Sequence, residues 1–263
     1  MAEDGPRTIG AAVSELVQSR REGRILVVSM QRESKRNAMN RELADAIDDA
    51  LNMLDDDTDL WVGILTGTPT VFSAGSDLTA GGDYHTERGG EYGIVRRHRR
   101  KPLIAAVEGP ALGGGLEIVL ACDLVVASAS AVFGLPEVGI GVVPTCAALF
   151  RAPQAFPLNL ARELILTGVP IDAVRAHAAG FVNVLAERGK AVDTALALAG
   201  QICANAPISV QACLAAVNEL IASNDDRGWE LTERALASLA GTSDAQEGLR
   251  AFFEKRPPVW TGR

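Results

Sequence analysis

The chain has 263 residues, which allows one large domain or a core with an appendage, and is ample for a sizeable hydrophobic core. Hydrophobic residues make up 48% and aromatics only 5%, so Ala and Val carry much of the apolar mass. The net charge of -8, from 25 basic and 33 acidic residues, argues against nucleic acid as the main partner, and no uninterrupted apolar stretch reaches membrane-span length.

Residues 1–12 read as a loose leader, polar and acidic, with no apolar run of the kind a signal peptide needs. Residues 14–20 and 24–30 flank Arg21-Glu22-Gly23 and predict a hairpin. Asn40 predicts the cap of a helix running to Leu54, because Leu43, Ala46, Ile47, Ala50, Leu51 and Leu54 recur on one face. A strand over 60–66 follows, then the small-residue turn Phe72-Ser73-Ala74-Gly75-Ser76-Asp77-Leu78. Residues 79–93 are polar and glycine-rich and are expected to be the most mobile part of the core. The basic run Arg96, Arg97, Arg99, Arg100 and Lys101 reads as a solvated helix face.

Residues 103–107 form a buried strand, Gly109-Pro110 turns the chain, and Gly114 or Gly115 opens an apolar helix through Ala121. Short strands over 124–127 and 131–133 complete an alternation of strand and helix, which argues an α/β fold. Beyond Pro153 the pattern is mostly helical: 158–167, 171–178, a last strand over 181–185, then helices over about 189–205, 207–223, 227–240 and 243–255. Pro207 suits a first helical turn, and Ser243 with Gln246 and Glu247 a helix start. The chain thus divides into the leader, an α/β core over 13–200 and a helical region over 201–263. That region cannot bury itself alone and is expected to pack on its own core or on a neighbouring subunit.

Two carboxylates stand out. Glu117 closes Leu112-Gly113-Gly114-Gly115-Leu116-Glu117, and Glu137 closes Phe133-Gly134-Leu135-Pro136-Glu137. Both runs are otherwise apolar, and a carboxylate headed for an enclosed site needs a partner or a task. Two acids facing one cavity can divide general-acid and general-base work; structural contacts are the other reading. The triple glycine lets a backbone approach a ligand closely, and a helix starting there aims free N–H groups and a positive dipole end at whatever lies above it. Close helix–strand packing is the alternative, as is a bound nucleotide, although neither G-x-G-x-x-G nor a Gly-Lys-Ser/Thr loop is present. Ser76 lacks a G-x-S-x-G setting and is not read as a nucleophile; Asp77 could cap the next turn. His85, His98 and His177 have no metal-ligand spacing, so no metal site is expected. Cys122, Cys146, Cys203 and Cys213 lie far apart without C-x-x-C, which predicts no disulfide framework and a reducing, cytoplasmic setting.

Taken in order, residues 32–40, 72–78, 101–117 and 133–137 resemble the enoyl-CoA hydratase/isomerase (crotonase) superfamily, over about residues 15 to 260. The resemblance implies a spiral of repeated β-β-α units with a C-terminal helical region used in trimerisation, as a homotrimer or dimer of trimers. It implies an acyl-CoA thioester substrate, with coenzyme A as part of that substrate and no further cofactor. The thioester carbonyl would sit between the backbone N–H groups of Ser76 and Gly114. Glu117 and Glu137 match the two glutamates that activate water and protonate the α-carbon, which favours enoyl-CoA hydratase activity: water added to a trans-2-enoyl-CoA to give a 3-hydroxyacyl-CoA. Lys35, Arg36 and Ala38, with Ala74, Asp77 and Leu78, match residues lining the CoA moiety. Phe253 and Lys255 match a stretch that reaches the CoA of a neighbouring subunit. Isomerisation, another crotonase-type reaction or non-catalytic acyl-CoA binding are the alternatives. The last is kept because Thr145-Cys146-Ala147-Ala148-Leu149-Phe150-Arg151 replaces a glycine-rich turn, so bulk is expected near the acyl pocket. Cys146 reads as a wall thiol rather than a nucleophile.

Overall fold

The computed structural model describes residues 14–82 and 84–263, and the expected leader over 1–12 lies outside the described residues. The hairpin β1 (Val17–Glu22) and β2 (Ile25–Met30) leads into a sheet continued by β3 (Val62–Thr66), with helix α1 (Arg41–Asp56) between β2 and β3. A two-strand ribbon, β4 (His85–Thr86) and β5 (Gly90–Glu91), precedes β6 (Leu103–Val107), β7 (Pro110–Leu112) and α2 (Gly114–Leu120). Then come β8 (Leu124–Ser128), β9 (Val132–Gly134), a 3-10 turn at Pro136–Ile140, α3 (Ala148–Ala155) and α4 (Leu158–Thr167). β10 (Ile171–Asp172), α5 (Ala173–Ala178) and β11 (Val184–Ala186) close the α/β part. The chain finishes with α6 (Ala191–Cys203), α7 (Pro207–Ala222), α8 (Asp225–Leu239) and α9 (Ser243–Glu254).

The main sheet has the order β1-β2-β3-β6-β8-β11 and is parallel after the first hairpin. β3 and β6 are buried throughout, as apolar runs covered on both faces should be. One face carries Val27, Ile64, Ile104 and Val126 against Ala191, Ala195 and Ala199 of α6; the other buries Leu26, Leu65, Leu103 and Val107 with Leu43, Ile47 and Leu51 of α1. A second sheet, β10-β9-β7, is extended by single bridges Ser73↔Ala111 and Met39↔Ser76. Each turn of the chain therefore gives one segment to the main sheet and one to the second before it turns into a helix. That stacked β-β-α spiral agrees with the expected fold class.

Several expectations change. The hairpin turn is Gly23-Arg24, since Glu22 pairs with Ile25, because Gly23 (φ 59°) reaches the left-handed region that the flanking residues avoid. Residues 181–185 do not start a strand at Phe181, whose ring packs on Phe133 and Phe156. α3 appears where no helix was expected, with Pro153 inside it. Of the 79–93 stretch, residues 79–82 are exposed, whereas Tyr92 is buried, as are Ile94 and Val95 beyond it. The basic run is no solvated helix face. The Arg97 side chain is 1% exposed and bonds Asp48 (2.6 Å) and Asp55 (2.7 Å) of α1. Lys101 Nζ donates to the carbonyls of Leu54 and Asp57 at the C-terminal end of α1, where a cation meets unsatisfied acceptors.

Candidate active site

Strand pairing brings the two glutamates together. β7 runs beside β9 with Leu112 opposite Gly134, and Gly113 N donates to Gly134 O (2.9 Å). Gly113 then caps α2, which carries Glu117 one turn in, while Pro136 starts the 3-10 turn carrying Glu137. A Cβ built on Gly113 would lie 3.0 Å from Glu137 Oε1, so the absence of a side chain makes room for that carboxyl.

The two carboxyls are held differently. Glu117 is 2% exposed, and its Oε1 accepts from the N–H groups of Cys146 (2.7 Å) and Ala148 (3.1 Å). Those N–H groups converge because Ala147, between them, has a left-handed backbone (φ 85°). Glu137 Oε2 is buried with no hydrogen-bond partner among the described residues. Burial pushes Glu117 up to about 7, against the opposing pull of its two N–H donors. Burial pushes Glu137 up to about 8, and the Glu117 charge nearby adds to the rise. Like-charged neighbours resist joint ionisation, so the pair titrates as a unit and keeps one proton near neutral pH.

Across from them lies the small-residue turn. It is tied to the 32–39 segment by Ala74 N donating to Arg36 O (3.0 Å) and Met39 N to Gly75 O (2.7 Å). Asn37, fully buried, donates to Phe72 O (2.9 Å) and braces the same turn. A Cβ on Gly75 would sit 3.2 Å from Gly114 N, which brings the Gly75-Ser76 backbone against the start of α2. Neither Ser76 N–H nor Gly114 N–H has an acceptor among the described residues. Two unengaged N–H groups thus lie at the start of α2, beside the Gly113 that abuts Glu137 and one turn before Glu117. This arrangement can polarise a carbonyl and move protons beside it.

The other sequence-derived residues fall into two groups. Ala38 and Ala74 are half-buried on the two segments joined by the Ala74 N–Arg36 O bond, and Lys35, Arg36 and Leu78 on those segments are exposed. Asp77 faces inward: its carboxylate accepts from Thr79 and pairs with Arg32 (2.8 Å), and these contacts hold it down to about 2. Asp77 therefore caps its turn and braces Arg32, as its neighbours require, leaving its carboxylate engaged inside the chain. Phe253 and Lys255 are exposed at the end of α9, with no hydrogen bond or ion pair to the pocket among the described residues. Within the 145–151 stretch, where bulk was expected near the acyl pocket, Phe150 turns toward α8. Its ring packs edge-on to Trp229 (5.2 Å) and over Gly228 of α8. Cys146 is 3% exposed, and burial pushes its thiol well up, which keeps it neutral and unsuited to nucleophilic attack. No group of three or more His, Cys, Asp or Glu suited to a metal is found among the described residues. Sequence reasoning missed Tyr92, whose hydroxyl lies 2.7 Å from Ser76 Oγ. The available signal was a lone aromatic between Gly90 and Gly93 in a polar stretch.

The fold and site define an α/β spiral protein in which two unengaged backbone N–H groups stand near two glutamates. The chain belongs to the enoyl-CoA hydratase/isomerase family, whose sequence model matches residues 20–263. It is 36% identical to enoyl-CoA hydratase EchA19 of Mycobacterium tuberculosis over 97% of this chain and 99% of that one. It superposes on carnitinyl-CoA hydratase from Mycobacterium avium with a TM-score of 0.90 at 39% identity, covering 95% of this chain and all of that one. An enoyl-CoA hydratase from Mycobacterium tuberculosis H37Rv gives 0.77 at 42% identity, with the same coverage.

Proposed function

We propose that the protein is an enoyl-CoA hydratase, adding water across the 2,3 double bond of a trans-2-enoyl-CoA. The observation that carries this reading is the pairing of buried Glu117 and half-buried Glu137, differently held, with two unengaged N–H groups. The thioester oxygen binds between Ser76 N–H and Gly114 N–H. Ionised Glu117, anchored by Cys146 and Ala148, takes a proton from water as its oxygen bonds to C3. Electrons move onto the thioester oxygen, where each N–H donor is worth about 3–4 kcal/mol in the transition state. As the enolate collapses, protonated Glu137 gives its proton to C2. The pair holds the same number of protons before and after, so the chemistry closes without a redox cofactor or metal.

Lys35 and Arg36, exposed beside Ala38 and Ala74, are read as the cations that meet CoA phosphates. The exposed apolar residues of α7 are read as the contact between copies in a trimer or dimer of trimers, bringing Phe253 and Lys255 toward a neighbour's CoA. Four free cysteines fit a reducing, cytoplasmic setting. Among the described residues no single helix is long and apolar enough to cross a membrane.

A second reading follows from the higher TM-score with the carnitinyl-CoA hydratase structure. The same groups run in reverse would dehydrate a polar 3-hydroxyacyl-CoA. Purified protein mixed with crotonyl-CoA should lose enoyl absorbance, and with carnitinyl-CoA should gain it if the second reading holds. No change with either, across acyl lengths, would overturn both.

A further inference from the structure

Tyr92 is a buried group that the proposed chemistry leaves unused. It is 1% exposed, and its backbone is left-handed at φ 58°, a conformation bulky residues avoid. Such a backbone persists only where its surroundings over-determine it. Here they do. Tyr92 N donates to Tyr84 O (3.0 Å), the two rings pack at 5.4 Å, and the following Gly93 presses against Ala44 and Asp48 of α1. Four residues on, Arg97 fastens the segment to Asp48 and Asp55. The whole segment is built to deliver one phenol to one place.

That place is the junction of the two N–H donors. Tyr92 Oη is 2.7 Å from Ser76 Oγ. It also lies against Gly114, where a Cβ would come 2.5 Å from it. Any residue other than glycine at 114 would collide with the phenol, so the two positions are matched to each other.

We propose that Tyr92 is the positioning residue of the oxyanion pair: its ring and hydroxyl fix the gap between Ser76 and Gly114 so that both N–H groups converge on one thioester oxygen. The inference rests on the reading of those N–H groups as an oxyanion site. It assigns Tyr92 no contact with the reacting carbons and no proton transfer.

The test is Tyr92→Phe, which keeps the ring and removes the hydroxyl. Two readouts are taken: hydration of crotonyl-CoA, and the infrared shift of the thioester carbonyl of acetoacetyl-CoA, which has no double bond to hydrate. The expected result is a kcat lower by about 10- to 100-fold with KM within about threefold, and a carbonyl shift on binding clearly smaller than in the wild type. Ser76→Ala, which removes the hydroxyl partner and keeps the N–H, should behave the same way. The double variant should be no worse than the poorer single one. Should Tyr92→Phe fail to fold, the Ser76→Ala carbonyl shift decides alone. Wild-type kcat and carbonyl shift in Tyr92→Phe, or a normal shift in Ser76→Ala, would overturn the inference. A wild type that polarises acetoacetyl-CoA but hydrates nothing overturns the hydratase reading and leaves the Tyr92 inference to stand or fall on the carbonyl shift.

Discussion

At the scale of single residues, the site is governed by what holds each carboxyl. Glu117 has two N–H donors and Glu137 Oε2 has none, so the first is the better anion and the second the better acid. Activity should therefore peak between about pH 7 and 8, falling on the acid side as Glu117 protonates and on the alkaline side as Glu137 ionises. A kcat/KM profile checks this. Both groups are raised above their ordinary value in the folded chain. Their contribution to stability is therefore full below about pH 4.5 and is lost as pH rises toward 7–8. Glu137→Gln, which cannot ionise, should raise unfolding free energy at pH 8.5 by on the order of 1–3 kcal/mol, measured by urea denaturation. Ala147 offers a second test. A left-handed alanine costs about 1–2 kcal/mol, and glycine gives back part of that gain through its freer unfolded chain. Ala147→Gly should be stabilising by about 0.5–1 kcal/mol in the same assay with hydration retained.

At the scale of elements, the site is supported from behind by segments that lie outside its motifs in the sequence. The Arg97 guanidinium joins the Tyr92 segment to α1. Removing it strands two largely buried carboxylates, so Arg97→Leu should cost about 3–5 kcal/mol of stability by denaturant melt. α9 packs behind the Pro136–Ile140 turn, where Gly248 leaves no room for a Cβ against Ile140 O. The C-terminal helices thus reach back to the turn that carries Glu137. Much of this was legible from sequence where local chemistry decides it. The Asn40 cap, the apolar face of α1 and the glycine-opened α2 all stand as expected, with Asn40 accepting from Leu43 N (3.1 Å). Glu117 and Glu137 were legible as acids in apolar runs. What was not legible depended on distant partners. Arg97 and Lys101 read as exposed because their acceptors lie some 40 residues away in the chain. Phe150 read as a pocket wall because nothing local reveals Trp229. Tyr92 lay in a stretch whose composition reads as loop, and only packing on α1 turns it inward.

At the scale of the whole molecule, α7 is the telling element. None of its residues is buried, yet Ile208 (75% exposed) and Leu220 (76%) present apolar side chains, joined by Val217 and Ile221. On the proposed trimer, this exposed apolar face would be the contact between copies. If the proposed trimer forms through this face, Leu220→Glu should shift the protein toward monomer in light scattering, with helical content retained by circular dichroism. If association brings Phe253 and Lys255 to a neighbour's CoA, KM for an enoyl-CoA should rise in that variant more than kcat falls. The central claim, that Glu117 and Glu137 act as base and acid on a thioester held by Ser76 and Gly114, is most directly tested by crotonyl-CoA hydration in wild type, Glu117→Gln and Glu137→Gln. The account predicts loss of enoyl absorbance with the wild type, and kcat reduced by roughly 10²–10⁴-fold in each variant with KM little changed. Near wild-type kcat in both variants would contradict it.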